Sequence, residues 1–264
     1  MRTRLSFVAV LLAATTALAA CGGGSSSPET DLARVKEAGV LKIGTEGTYS
    51  PFSYHDPTNN QLTGYDVEVA KAVAAKLGVK AEFVETPWDA IFAGLTSKRF
   101  DVIANQVTRN SEREGLYGLS STYTVSEGVI ATRADDSSIT ALADLKGKKT
   151  AQSLTSNWAQ VAKDAGAKVE GVEGFTQAVT LVKQKRVDAT VNDNLAVLEY
   201  QKSTGDTSIK IAAETGETSE QVVATRKDSD LVAAINTALA ELQEDGTLKK
   251  ISEKYFSTDV SVKQ

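Results

Sequence analysis

The stretch Val129-Ile130-Ala131-Thr132-Arg133 returns nearly unchanged as Val222-Val223-Ala224-Thr225-Arg226. Each copy is apolar and β-branched, the composition of a strand, and each runs on into acidic and serine residues. Either two apolar strands are alike by chance, or the chain crosses twice between two bodies, out at the first copy and back at the second. The second reading predicts lobe one from 31–130 plus 222–264 and lobe two from 131–221. A two-stranded hinge would then let the lobes close on something held in the cleft.

Outward from these copies, short apolar runs alternate with amphipathic segments. Strands are expected at 40–45, 80–84, 101–104, 149–152 and 189–191. Between and after them the spacing predicts helices at 65–77, 88–97, 157–165, 176–183, 195–202, 231–244 and 248–255. In the first of these helices Val69, Val73 and Leu77 recur every fourth residue ahead of Gly78, a stop signal. Alternating strands and helices give an α/β fold with mainly parallel sheets.

Composition narrows the chemistry. With 29 basic against 34 acidic side chains, the net charge of -5 excludes a surface built to wrap nucleic acid. A single Cys excludes a disulfide framework and any multi-cysteine metal site, and a single His excludes a two-histidine site. No metal or cofactor is therefore expected, and no catalytic pair stands out.

The N-terminus is an address rather than fold. Two arginines precede an apolar stretch from Leu5 to Ala17, shorter than the roughly 20 apolar residues of a membrane span. It ends in Leu18-Ala19-Ala20-Cys21, which resembles a bacterial lipoprotein cleavage box. That resemblance implies a signal peptide at 1–20, a diacylglyceryl group on Cys21, and an exported protein tethered to a membrane by acyl chains. Residues 21–30, with the run GGGSSSP, read as the lipidated cysteine and a flexible tether.

Four local groups could furnish a cleft. Glu46-Gly47-Thr48-Tyr49-Ser50-Pro51-Phe52 is a turn-rich loop after a strand, whose Tyr49 and Phe52 are either core plugs or cleft walls; Trp88 adds another large ring. Asn105-Gln106-Val107-Thr108 closes a strand at the end where open α/β sheets bind ligands. Arg113 is either a solvated arginine among acids or a planar fork for a carboxylate. Ser156-Asn157 opens a helix whose N–H groups suit an anion, while Asp193 is either a helix N-cap or the acceptor of an ammonium. An arginine, a helix N-terminus and a carboxylate together would suit an α-amino acid zwitterion.

In IGTEGTYSPF (43–52), GYDVEVAKAVAAKLG (64–78), TPWDAI (86–91), FDVIANQVT (100–108), SER (111–113), DLKGKK (144–149) and VDATVND (187–193), the chain resembles the family 3 extracellular solute-binding proteins, the amino-acid receptors of ABC importers. EGTY (46–49), TPWD (86–89) and NQVT (105–108) are most similar to the cystine-binding branch. The resemblance implies a two-lobed periplasmic-binding-protein fold of type II, a monomer that is not an enzyme, an amino-acid ligand such as L-cystine, and ABC permease subunits as partners. It also implies roles. Arg113 and Thr108 would hold the ligand carboxylate from lobe one, Ser156 and Asn157 from lobe two, and Asp193 would take the ammonium. Gln106 would contribute backbone and Asn105 would lie near the ligand side chain. Tyr49, Phe52 and Trp88 would wall that side chain, and Glu46 would face its distal polar group. Arg109-Asn110 and Thr155-Ser156 depart from the family's usual residues at those turns.

Overall fold

The computed structural model describes residues 30–261. The expected signal peptide at 1–20, Cys21 and all of the expected tether except Thr30 lie outside the described residues.

Lobe one begins with α1 (Asp31–Ala38), β1 (Val40–Thr45), the small hairpin strands β2 (Thr48–Tyr49), β3 (Ser53–His55) and β4 (Leu62–Thr63), and α2 (Tyr65–Lys76). It continues through β5 (Lys80–Glu85), α3 (Trp88–Thr96), β6 (Val102–Thr108) and α4 (Ser111–Leu116). The long strand β7 (Tyr117–Arg133) leads out, and lobe two carries β8 (Lys149–Gln152), α5 (Asn157–Asp164), β9 (Lys168–Gly171), α6 (Phe175–Lys183), β10 (Ala189–Asp193) and α7 (Asn194–Thr204). The equally long β11 (Ile209–Arg226) returns, and α8 (Leu231–Glu244) and α9 (Thr247–Phe256) close lobe one.

The main sheet runs β5-β1-β6-β11-β7-β10-β8-β9. Its outer portions, β5-β1-β6 and β10-β8-β9, are parallel, while β7 and β11 lie antiparallel at the centre. The repeated pentapeptides have equivalent places in the two halves. Val129–Thr132 pairs antiparallel with β10, and Val222–Thr225 pairs antiparallel with β6. Each copy is thus the antiparallel strand added to its own lobe's parallel core. The crossing itself is made by the residues just before each copy, where the β7–β11 register shifts between Glu214 and Thr218.

Both faces of the sheet are covered. Ile91, Leu95, Phe100, Ile103 and Val222 form a buried cluster in lobe one, and Ile130, Ile139, Leu145, Ala162 and Val191 form its counterpart in lobe two. Close approach at the crossing depends on Gly128, where a Cβ would stand 2.5 Å from the Trp158 ring and 2.5 Å from Thr215 Oγ1.

Element by element, β1, β8 and α8 fall where the sequence places them, and the other expected helices begin or end within a residue or two of expectation. Not foreseen were β9, the β2-β3-β4 hairpin and the length of β7 and β11. The crossing strands mix Ser, Thr, Glu and Gly with apolar residues, so neither reads as one continuous strand.

Candidate functional site

A small cavity of about 50 Å³ lies between the lobes. Glu46, Tyr49, Trp88, Asn105 and Gln106 line it from lobe one; Gln152, Ser156, Asn157, Phe175 and Asn192 line it from lobe two.

The lobe-one wall is set by β6. Its register against β11 is irregular between Val222 and Ala224, and Gln106 sits there with a left-handed φ of 50°. Such a conformation costs a non-glycine residue of order 1–3 kcal/mol. It is held by Asp66 of α2, whose two oxygens accept from the Gln106 N–H (2.8 Å) and from Gln106 Nε2 (2.7 Å). Tyr123 also donates its hydroxyl to Asp66, at 2.8 Å. The carboxyl is completely buried, and burial pushes its pKa up to about 7 despite these donors.

Asn105 is oriented without ambiguity. Its Oδ1 accepts from Thr45 Oγ1 at 2.9 Å and from the Glu46 N–H at 2.8 Å, so its Nδ2 donates to Glu46 Oε2, at 2.6 Å. Desolvation pushes the Glu46 carboxyl up to about 7. Tyr49 lies among acids: burial first, then the charges of Asp193, Glu46 and Asp66, raise its phenol well above the ordinary value.

Arg113 is buried, not solvated, at 6% exposure. Asn110 caps α4 by accepting the Arg113 N–H at 2.8 Å, which fixes the arginine's starting point. Its guanidinium is 5.3 Å from the ring centroids of both Trp88 and Phe92 and donates to the Thr108 carbonyl at 2.7 Å. No ion pair holds it among the described residues, and burial depresses its pKa to about 10. Arg113 and Thr108 line an outer groove between the lobes; Ser156 and Asn157 border both that groove and the inner cavity. Ser156 caps α5 by accepting the Ala159 N–H at 3.1 Å.

Two expected residues stand elsewhere. Phe52 is not a cleft wall: it is fully buried, 4.9 Å from the Tyr49 ring on one side and 6.0 Å from Phe256 on the other. Backbone bonds from Phe52 to Tyr49, and from Tyr65 and Asp66 back to Pro51 and Phe52, pin this turn to the start of α2 and drive the ring inward. It is the core plug that supports Tyr49. Asp193 is also buried and lines neither compartment. It caps α7 by accepting the Leu195 N–H at 2.9 Å, and it accepts the Ser126 hydroxyl of β7. Burial pushes its pKa up to about 7.

Gln152, Phe175 and Asn192 were not anticipated. Gln152 ends β8, and the rule that ligands gather at strand C-termini would have found it. Phe175 and Asn192 carry no comparable signal in sequence.

The lobes touch directly. Asp89 Oδ1 of α3 accepts from the Thr155 N–H (3.1 Å) and from Thr155 Oγ1 (2.7 Å), and Tyr49 donates its hydroxyl to Asn192 Oδ1 (2.7 Å). The structure is closed. Among the described residues no cluster of His, Cys, Asp and Glu could hold a metal ion, and no helix is long and apolar enough to cross a membrane.

A two-lobed α/β fold closing on a buried polar cleft defines a solute receptor, and residues 41–258 match a family that makes this specific: the chain belongs to the bacterial extracellular solute-binding proteins, family 3. It is a binding protein, not an enzyme. It is 53% identical to the L-cystine-binding protein TcyA of Bacillus subtilis, over 93% of this chain and 94% of that one. The L-cystine solute receptor of Neisseria gonorrhoeae, in its unliganded open conformation, is 47% identical over 89% of this chain and all of that one, with a TM-score of 0.60. An ancestral arginine-binding protein bound to arginine is less similar in sequence, 41%, over 83% and 98%, but superposes better, at 0.77.

Proposed function

We propose that the protein is a lipid-anchored, extracytoplasmic receptor that captures an amino acid, L-cystine above others, and delivers it to an ABC permease. One observation carries this reading: a desolvated cation and a desolvated acid, each without a partner of opposite charge, face the space between the lobes. Arg113 lines the outer groove without a carboxylate, and Glu46 lines the inner cavity without a cation. An uncompensated buried charge costs several kcal/mol, and a zwitterion removes both deficits.

In this reading Arg113, Thr108, Ser156 and Asn157 hold the α-carboxylate, and the negative field of Asp193 draws the α-ammonium. Tyr49 and Trp88 wall the side chain, and Asn105 and Gln106 shape the floor. Lobe one comprises 31–130 plus 222–264, lobe two 131–221, and the ligand favours the closed population because only closure brings both lobes' contacts to it. The receptor acts as a monomer. The names of the relatives support cystine: both TcyA and the gonococcal receptor are named for it. Export and anchoring rest on Cys21 and the segment before it.

Calorimetry on refolded residues 22–264 against the common amino acids and L-cystine tests the ligand. Binding of L-cystine alone is the expected result. Binding of another amino acid would retain the receptor and change its ligand; binding of none would overturn the reading and favour a sensing lipoprotein. Mass spectrometry of the protein extracted from membranes tests the acyl chains on Cys21.

A further inference from the structure

Two irregularities in the main sheet face each other across β11. On β6, Ala104, Asn105 and Gln106 lie between the pairs Ile103–Ala224 and Val107–Val222, where β11 has only Val223. On β7, Tyr123 lies between the pairs Thr122–Val222 and Thr124–Gln221, where β11 has no residue to match it. Bulges of this kind re-aim a side chain beside a site. The β6 bulge carries Asn105 and Gln106 into the lining of the inner cavity. The β7 bulge carries Tyr123 into the core, its ring fully buried and stacked on Tyr65 at 6.1 Å.

One carboxylate joins the two bulges. Asp66 Oδ2 accepts the Gln106 N–H at 2.8 Å, and Oδ1 accepts from Gln106 Nε2 at 2.7 Å and from the Tyr123 hydroxyl at 2.8 Å. An acid in the first turn of a helix ordinarily serves the helix dipole from the surface, but Asp66 is fully buried and gives its lone pairs to β6 and β7. Its backbone is fixed in turn. The Asp66 N–H donates to the Phe52 carbonyl at 2.9 Å, and Gly64 approaches that carbonyl so closely that a Cβ would stand 2.3 Å from its oxygen. The left-handed Gln106 therefore has a rigid partner, shared with a strand that crosses to lobe two. Asp66 itself lines neither the cavity nor the groove. We infer that Asp66 is a positioning residue for ligand capture, a clamp that holds the cleft floor at Gln106 in register with the root of the crossing strand at Tyr123. This rests on the amino-acid-receptor reading and adds to it a residue behind the binding surface.

The test crosses Asp66→Asn with Gln106→Gly, because glycine takes a left-handed φ without a holder. Calorimetry reads L-cystine affinity, and NMR reads hydrogen exchange of the N–H at position 106 in the unliganded protein. With Gln106 in place, Asp66→Asn should weaken L-cystine about ten- to a hundredfold and speed that exchange by at least about tenfold, the range for a hydrogen bond to a charged group. In the Gln106→Gly background the same substitution should change affinity less than about twofold, because the two residues act as one unit. Equal losses in both backgrounds, or exchange unchanged by Asp66→Asn, would overturn the clamp. Should Asp66→Asn fail to fold, Tyr123→Phe removes only a hydroxyl. It should speed exchange at Gln106 several-fold, and no change there would overturn the clamp as well. A wild type that binds neither L-cystine nor any common amino acid would overturn the receptor reading, and exchange at Gln106 would then decide the clamp by itself.

Discussion

Asp89 and Thr155 meet across the mouth of the cleft, one carboxylate oxygen accepting both the backbone N–H and the hydroxyl of the threonine. Neither residue lines the inner cavity. The pair therefore bears on the opening of the lobes rather than on contact with a ligand. Asp89→Ala should shift the unliganded protein toward open forms and speed ligand release. Charge-assisted bonds reach about 1.5–3 kcal/mol, but this pair is solvent-exposed, so about 1 kcal/mol and a several-fold faster release are expected. Stopped-flow release rates and solution scattering of wild type and variant would check this, and an unchanged release rate would remove the latch.

Arg113 is enclosed by Trp88, Phe92 and the Thr108 carbonyl. Arg113→Ala should cost at least tenfold, and up to about a hundredfold, in ligand affinity, the worth of a buried charge-assisted bond. Arg113→Lys should not restore it, because an ammonium lacks the planar fork and stacks poorly between two rings. Calorimetry on both variants is the measurement; full rescue by lysine would argue against bidentate recognition.

The pH dependence has a definite sign. Glu46, Asp66 and Asp193 are each pushed up to about 7, chiefly by burial, whereas unfolded carboxyls titrate near ~4. Between those values the folded chain keeps protons that the unfolded chain has released, so the contribution of these three groups to unliganded stability is complete below about 4 and is lost as pH rises from there through about 7. A ligand ammonium pairs with the ionised acids, so affinity should rise over the same window. Thermal melts with and without L-cystine should show the ligand-induced gain growing from pH 5 to pH 8. A gain that shrinks toward pH 8 would contradict this.

Phe52 predicts a separation of effects. Phe52→Ala opens a void beneath Tyr49 and should destabilise the fold by about 3–5 kcal/mol. Phe52→Leu should cost less in stability while still loosening Tyr49, whose hydroxyl reaches Asn192. Chemical denaturation together with ligand titration would distinguish support from contact. A Phe52→Leu protein of wild-type stability and reduced affinity would instead place the ring against the ligand.

Much of this was legible in the chain. The helices of both lobes announced themselves by spacing, and β1 and β8 by short β-prone runs. The repeated pentapeptide marked two equivalent strands, although it flanks the crossing rather than making it. Less legible was which way a ring or an acid would turn. Phe52 and Tyr49 sit in one loop with the same apparent claim to the cleft, and only the docking of that turn onto α2 separates them. Asp193 has the N-cap contact that its position allowed and also a bond to Ser126, a partner distant in sequence. Arg113 looked like a surface residue because its neighbours in sequence are acidic; its surroundings are set by α3 and β6. Gln152 was legible as the last residue of a strand, but its unpaired amide exists only once Thr150 has taken the other end.

The place of β11 between β6 and β7 has a consequence for how the molecule is made. Lobe two is one uninterrupted stretch of chain, whereas the strand at the heart of the sheet, and the helices α8 and α9 behind lobe one, come after it in sequence. Whichever way the chain emerges from its N-terminus, lobe one waits with β6 as an unfinished edge until lobe two has been delivered in full. The part of the molecule that comes first in sequence is the last to be completed. A truncation that removes only the final quarter of the chain would leave lobe two with nearly all its own strands and lobe one without its centre.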